Sequence, residues 1–137
     1  MKLGTQPGKP APTVLVVDDD ELTTAHFARM LTLDGYDVRG ALSAEAALSE
    51  VSTHPPDAII LDLRMPLMDG LGFLRRLRAS GVRTPVTIVT GDYFIDDAIR
   101  RDLRALGADI RFKPLWLEEL TDLVQSMLKQ TPRPFPS

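Results

Sequence analysis

Five side chains at four places in this sequence could act together on a phosphoryl group: Asp18 and Asp19, Asp62, Thr90 and Lys113. Each follows a short apolar run. Val14-Leu15-Val16-Val17 precedes Asp18-Asp19, Ala58-Ile59-Ile60-Leu61 precedes Asp62, Val86-Thr87-Ile88-Val89 precedes Thr90, and Ile110-Arg111-Phe112 precedes Lys113. In an open parallel sheet with crossover helices, the carboxyl ends of the strands share one edge, and ligands bind there. Three carboxylates brought to one spot repel one another and resist ionisation unless a cation joins them. Mg²⁺ suits this set, because it takes hard oxygen ligands and keeps waters that a phosphate can replace. A carboxylate can also attack phosphorus to give an acyl phosphate. Lys113 and the metal would then neutralise phosphoryl oxygens in a loose in-line transition state, and Thr90 would donate a hydrogen bond.

The elements that must position these groups are legible as alternating strands and helices. The first helix is expected from about Glu21 to Leu33, with Phe27, Met30 and Leu31 inward and Gly35 as terminator. Tyr36-Asp37-Val38 reads as a short second strand. Ser43 is placed to cap a helix carrying Ala47, Leu48 and Val51, and Asp69 to cap one carrying Phe73, Leu74 and Leu77 before Gly81. A fourth helix is expected from about Ile95 to Leu106. The fifth opens at Pro114 and carries Leu117, Leu120, Leu123, Val124, Met127 and Leu128 at helical spacing. Five such units with right-handed crossovers predict a doubly wound α/β sandwich, a parallel five-stranded sheet flanked by five helices. Pro and Gly mark residues 1–12 as a flexible arm and alternate prolines mark 131–137 as a tail, leaving 13–130 as the folded domain.

Composition narrows the function classes. At 137 residues the chain fits one domain, and its formal net charge of −3 gives no basic field for nucleic acid. The absence of cysteine excludes disulfides and thiol chemistry and agrees with a reducing cytoplasm. No apolar stretch approaches the roughly 18–20 residues of a membrane span, so a cytoplasmic protein without membrane attachment is expected. His26 and His54 are expected to face solvent, Asp20 to serve only as a helix cap, and the Leu and Met stripes to be core.

Taken in order, Val16-Val17-Asp18-Asp19-Asp20, the run Leu61-Asp62-Leu63-Arg64-Met65-Pro66-Leu67-Met68-Asp69-Gly70, Val89-Thr90-Gly91 and Phe112-Lys113-Pro114 resemble the response-regulator receiver domain of two-component signalling over residues 13–130. The resemblance implies a flavodoxin/CheY-like sheet of order 2-1-3-4-5. It implies Asp62 as phospho-acceptor, Asp18, Asp19, Asp62 and the backbone carbonyl of Arg64 as Mg²⁺ ligands, Thr90 as the switch hydroxyl and Lys113 as the phosphate-binding ammonium. It also implies a cis Lys113–Pro114 peptide. The implied donor is a sensor histidine kinase or phosphotransfer protein, and the implied target is a downstream effector or fused output domain, reached through the face of helix 4, strand 5 and helix 5. Such a protein is a signalling receiver rather than an enzyme, with only self-phosphorylation and self-dephosphorylation. The alternatives are a haloacid-dehalogenase-like phosphatase, which would want an acid where Arg64 stands, and a receiver-shaped interaction domain that is never phosphorylated.

Three positions depart from the family pattern. Ile110, three before Lys113, replaces the usual aromatic switch residue, so readout is expected to rely less on a ring rotamer. Arg64 and Asp92 carry opposite charges beside the site and could pair across its mouth, prolonging the phosphoryl group's lifetime. Trp116 is either a partner anchor on the face of helix 4, strand 5 and helix 5, or packing over the Pro114 loop. Arg100, Arg101 and Arg104 could meet Glu118 and Glu119 of a second copy, which leaves a homodimer open.

Overall fold

The computed structural model describes residues 10–130. Strands β1 (Thr13–Val17), β2 (Asp37–Ala41), β3 (Ala58–Leu61), β4 (Val86–Thr90) and β5 (Ala108–Phe112) alternate with helices α1 (Glu21–Leu33), α2 (Ala44–Thr53), α3 (Gly70–Ala79), α4 (Asp97–Ala105) and α5 (Leu117–Leu128). The strands form one all-parallel sheet in the order β2-β1-β3-β4-β5, the expected doubly wound arrangement. β1, β3 and β4 are buried along almost their whole length, because helices cover both of their faces.

The core is accordingly in two layers. On one face Leu15, Val17, Ile59, Leu61 and Ile88 meet α2, α3 and α4 through residues such as Val51, Phe73, Leu74, Leu77 and Leu103. On the other, Val14, Val16, Ile60 and Val89 meet Phe27 and Leu31 of α1 and Leu120, Leu123 and Val124 of α5. Alternate residues of each strand serve opposite layers, as the two-residue period of a strand requires.

Boundaries differ from the expectations in instructive ways. β2 continues to Ala41 because Arg39, Gly40 and Ala41 pair with Leu15, Val16 and Val17 on the sheet's edge, where polar residues are tolerated. α4 begins at Asp97, with the Asp96 carboxylate accepting the Ala98 N–H at 2.7 Å, and Ile95 instead enters the core. α5 begins at Leu117 rather than Pro114, since Trp116 takes the N-cap position and its N–H donates to Glu119 Oε1 at 3.1 Å. Asp20 occupies the N-cap of α1 but spends its carboxylate on the Thr23 hydroxyl instead of a backbone N–H. Ser43 and Asp69 cap α2 and α3 through their side chains as expected. His26 and His54 are both exposed. Of the arm expected at 1–12, only 10–12 are described, and there the Pro12 carbonyl accepts the Asp37 N–H at 3.0 Å. The tail at 131–137 lies outside the described residues.

Candidate phosphoryl and metal site

Asp18, Asp19, Asp62, Thr90 and Lys113 meet at the carboxyl edge of the sheet, as the strand pattern requires. β1 and β3 are neighbours, and the Asp62 N–H donates to the Val17 carbonyl at 2.8 Å, which sets the two acidic strand ends side by side. One carboxylate oxygen from each of Asp18, Asp19 and Asp62 can be chosen so that all three lie within 4.8 Å of one another. Asp18 and Asp62 are buried, whereas Asp19 is exposed.

Local contacts hold each group. Asp18 Oδ1 accepts the Asp20 N–H at 2.9 Å, and the Thr24 hydroxyl donates to the Asp18 carbonyl at 3.0 Å. Lys113 comes from the far end of the chain, and its N–H donates to the Thr90 carbonyl at 2.8 Å. Its ammonium lies 2.7 Å from Asp18 Oδ2 and 3.8 Å from Asp62 Oδ1. The Lys113–Pro114 peptide is cis. Thr90 is fully buried, and its hydroxyl accepts the Asp92 N–H at 3.1 Å.

The electrostatics single out Asp62. Burial first, and then the negative charge of Asp18, push its carboxyl up to about 6, against the opposing pull of Lys113. One ammonium therefore does not offset three carboxylates. The site is short of positive charge and made of hard oxygens, which fits a small divalent cation of the Mg²⁺ type.

At the mouth, the Arg64 guanidinium bonds Asp92 Oδ2 through Nε at 2.8 Å and Nη2 at 2.7 Å. This pair ties the β3–α3 loop to the β4–α4 loop, and Arg64 holds the Asp92 carboxyl below its ordinary value. Ile110 is half-buried against the α2–α3–α4 layer, as a packed strand residue. Trp116 is 70% exposed and lines a groove with Leu22, His26 and Phe27, on the α1 side of the molecule.

Two contributors escaped the sequence reading. A Cβ on Gly70 would stand 2.4 Å from the Asp62 carbonyl oxygen, so the start of α3 can approach the end of β3 only as glycine. Tyr93 stacks on Phe112 with ring centroids 5.4 Å apart, and its hydroxyl donates to the Lys113 carbonyl. The only signal for Tyr93 was a pair of adjacent aromatics, Tyr93 and Phe94, in the short segment after the fourth strand.

The family profile of the response regulator receiver domain matches residues 14–125. The chain belongs to that family. Curated relatives of this receiver domain include the transcriptional regulatory protein PrrA of Mycobacterium tuberculosis, 37% identical over 90% of this chain and 52% of the relative. Another is the response regulator MprA of Mycolicibacterium vanbaalenii, 35% identical over 86% and 51%. The receiver domain thus spans about half the length of the curated relatives it matches. Among solved structures, a response regulator receiver protein from Pseudomonas putida superposes with TM-score 0.80 at 33% identity, covering 86% of this chain and 98% of that one. Chemotaxis protein CheY4 of Vibrio cholerae gives 0.79 at 28% identity, covering 86% and 99%. The receiver domain is a part of two-component signalling, and no helix among its described residues is long and apolar enough to cross a membrane.

Proposed function

We propose that the domain accepts a phosphoryl group on Asp62 from a phosphohistidine of a sensor histidine kinase or phosphotransfer protein, in the cytoplasm, and passes the change to an effector or attached output domain. The observation that carries this reading is the placement of the Asp62 carboxylate between an acidic pair and an ammonium, with Lys113 Nζ 3.8 Å from Asp62 Oδ1.

Asp18, Asp19, Asp62 and the Arg64 carbonyl would hold Mg²⁺. When bound, the ion supplies the positive charge that the three carboxylates lack and that phosphoryl oxygens need. An Asp62 oxygen attacks phosphorus and forms the O–P bond. The donor's N–P bond breaks, and the imidazole nitrogen leaves with its electron pair and takes a proton from solvent. Lys113 trades part of its interaction with Asp18 for a phosphoryl oxygen. Thr90 already uses a lone pair on the Asp92 N–H, so its own O–H proton is left to donate to the phosphoryl group. That donation draws on the hydroxyl that also anchors the β4–α4 loop, which gives a route from phosphorylation to the face of α4, β5 and α5. Exposed Arg101, Arg104 and Glu118 stand on that face.

Incubation with acetyl phosphate and MgCl₂, followed by intact-mass measurement, tests the proposal. One added phosphate, absent from Asp62→Asn and absent in EDTA, is expected. Steady release of phosphate over many turnovers would indicate a phosphatase, and no adduct at all would indicate a domain that is never phosphorylated.

A further inference from the structure

Lys113 has to hold its ammonium against two carboxylates from the border of the sheet. β5 is an edge strand, paired on one side only, to β4. Lys113 follows its last residue, and Pro114, next in line, has no N–H with which to extend the ladder. The Lys113 N–H is spent on the Thr90 carbonyl at 2.8 Å. Its own carbonyl is taken by a side chain, the hydroxyl of Tyr93.

Tyr93 reaches that point from the β4–α4 loop, 20 residues earlier in the chain. Its ring stacks on Phe112, the residue before the lysine, with planes 26° apart and centroids separated by 5.4 Å. The loop on either side is itself fixed. The Asp92 N–H donates to the Thr90 hydroxyl at 3.1 Å, and the Phe94 N–H to Asp92 Oδ1 at 3.0 Å. Arg64 grips the other Asp92 oxygen. Tyr93 is 57% exposed and belongs to neither core layer, so its placement is not a by-product of burial. Ring and hydroxyl instead meet two consecutive residues, Phe112 and Lys113.

We propose that Tyr93 is a positioning residue for the phosphoryl-binding lysine. By holding the Phe112 ring and the Lys113 carbonyl together, it fixes the root of the lysine stem. That keeps the ammonium 2.7 Å from Asp18 and 3.8 Å from Asp62. Because the same loop is anchored on the Thr90 hydroxyl, ammonium and hydroxyl are set by one piece of backbone. This rests on the phospho-acceptor reading of Asp62 and deepens it, with Tyr93 acting only through Lys113.

A double-mutant cycle separates positioning from mere loop packing. Labelling by acetyl phosphate in MgCl₂, timed by intact mass, is compared in the wild type, Tyr93→Phe, Lys113→Met and the double variant. Tyr93→Phe keeps the ring and loses the hydroxyl, and should slow labelling about three- to tenfold, the worth of one hydrogen bond. Tyr93→Leu, which loses the stack as well, should be slower still. In the Lys113→Met background both Tyr93 changes should alter the rate by less than about twofold, because no ammonium remains to be positioned. Mg²⁺ titration of the same proteins, read by Trp116 fluorescence, needs no labelling. A loosened ammonium puts less like charge beside the ion, so Tyr93→Phe should tighten Mg²⁺ about twofold with Lys113 present and leave it unchanged in Lys113→Met. Thermal melts verify that each variant is folded at the assay temperature, as expected for a residue outside the core.

Unchanged or faster labelling in Tyr93→Phe would overturn the proposal. So would equal slowing in both backgrounds, or an Mg²⁺ response to Tyr93→Phe that is absent or survives the loss of Lys113. If Lys113→Met labels too slowly to time, the Mg²⁺ titration decides alone. Failure of acetyl phosphate to label the wild type would instead strike at the acceptor reading, and the titration would still judge Tyr93.

Discussion

The ammonium of Lys113 stands 2.7 Å from Asp18 and 3.8 Å from Asp62, so one cation is shared unequally between two buried carboxylates. It occupies electrostatic space that a divalent ion would also use. Replacing it with the neutral Lys113→Met should tighten Mg²⁺ binding roughly three- to tenfold, since a like charge is removed from the ion's surroundings. Titration followed by Trp116 fluorescence measures this, with phosphorylation by acetyl phosphate expected to fall in the same variant. Weaker Mg²⁺ binding would contradict the arrangement.

Asp62 makes a pH-dependent contribution to stability whose sign follows from its raised value. With the carboxyl at about 6 in the folded protein, against 3.8 as the ordinary value, the fold favours the protonated form. Without metal, stability should be higher below the unfolded value and fall as pH rises through about 6. Asp62→Asn in EDTA should therefore stabilise the fold at pH near 7.5 by about 1–3 kcal/mol, with the gain fading toward pH 4 as the wild-type carboxyl becomes protonated in the folded protein and then in the unfolded chain. Thermal melts of both proteins at the two pH values provide the check. Saturating Mg²⁺ should narrow or reverse the difference.

Gly70 is a steric requirement. The 2.4 Å approach that any Cβ would make is to backbone, the Asp62 carbonyl, and not to a flexible side chain. Gly70→Ala should cost about 1–3 kcal/mol and displace Asp62, lowering the rate of the proposed phosphorylation even where the protein remains folded. Denaturant melts and acetyl phosphate labelling of the same sample separate the two effects. A variant of unchanged stability and rate would disprove the constraint.

The Arg64–Asp92 pair spans the mouth with side chains 51% and 25% exposed, so its strength is modest. If it hinders water from reaching the acyl phosphate, Arg64→Ala and Asp92→Ala should both speed loss of the phosphoryl group. Roughly two- to fivefold is expected, in keeping with a pair worth up to about 1 kcal/mol. Decay of the phosphorylated mass after removal of acetyl phosphate gives the rate, and equal or slower decay in both would eliminate the gate.

The central strands and their terminal residues were readable from sequence as short, mostly apolar, β-branched runs, Val14–Val17, Ala58–Leu61 and Val86–Val89, each ending in Asp or Thr. β2 was less so. Arg39 and Gly40 carry no apolar signal, and only pairing with β1 makes them strand. The start of α5 was obscured because Pro114 is a good first helical residue, whereas Glu119 reaches back to the Trp116 N–H and sets the start later. Convergence of the acidic groups with Lys113 followed from parallel topology. The Tyr93–Lys113 contact and the Gly70 approach did not, because each depends on loop conformation that no periodicity encodes.

Asp18 and Lys113 are 95 residues apart in the chain, and the strand that delivers the lysine is the last to be made and sits at the sheet's border. During synthesis the nascent chain exposes both acidic strand ends well before the ammonium leaves the ribosome. A polypeptide cut short before Lys113 thus carries the paired acidic strand ends without the ammonium that faces them.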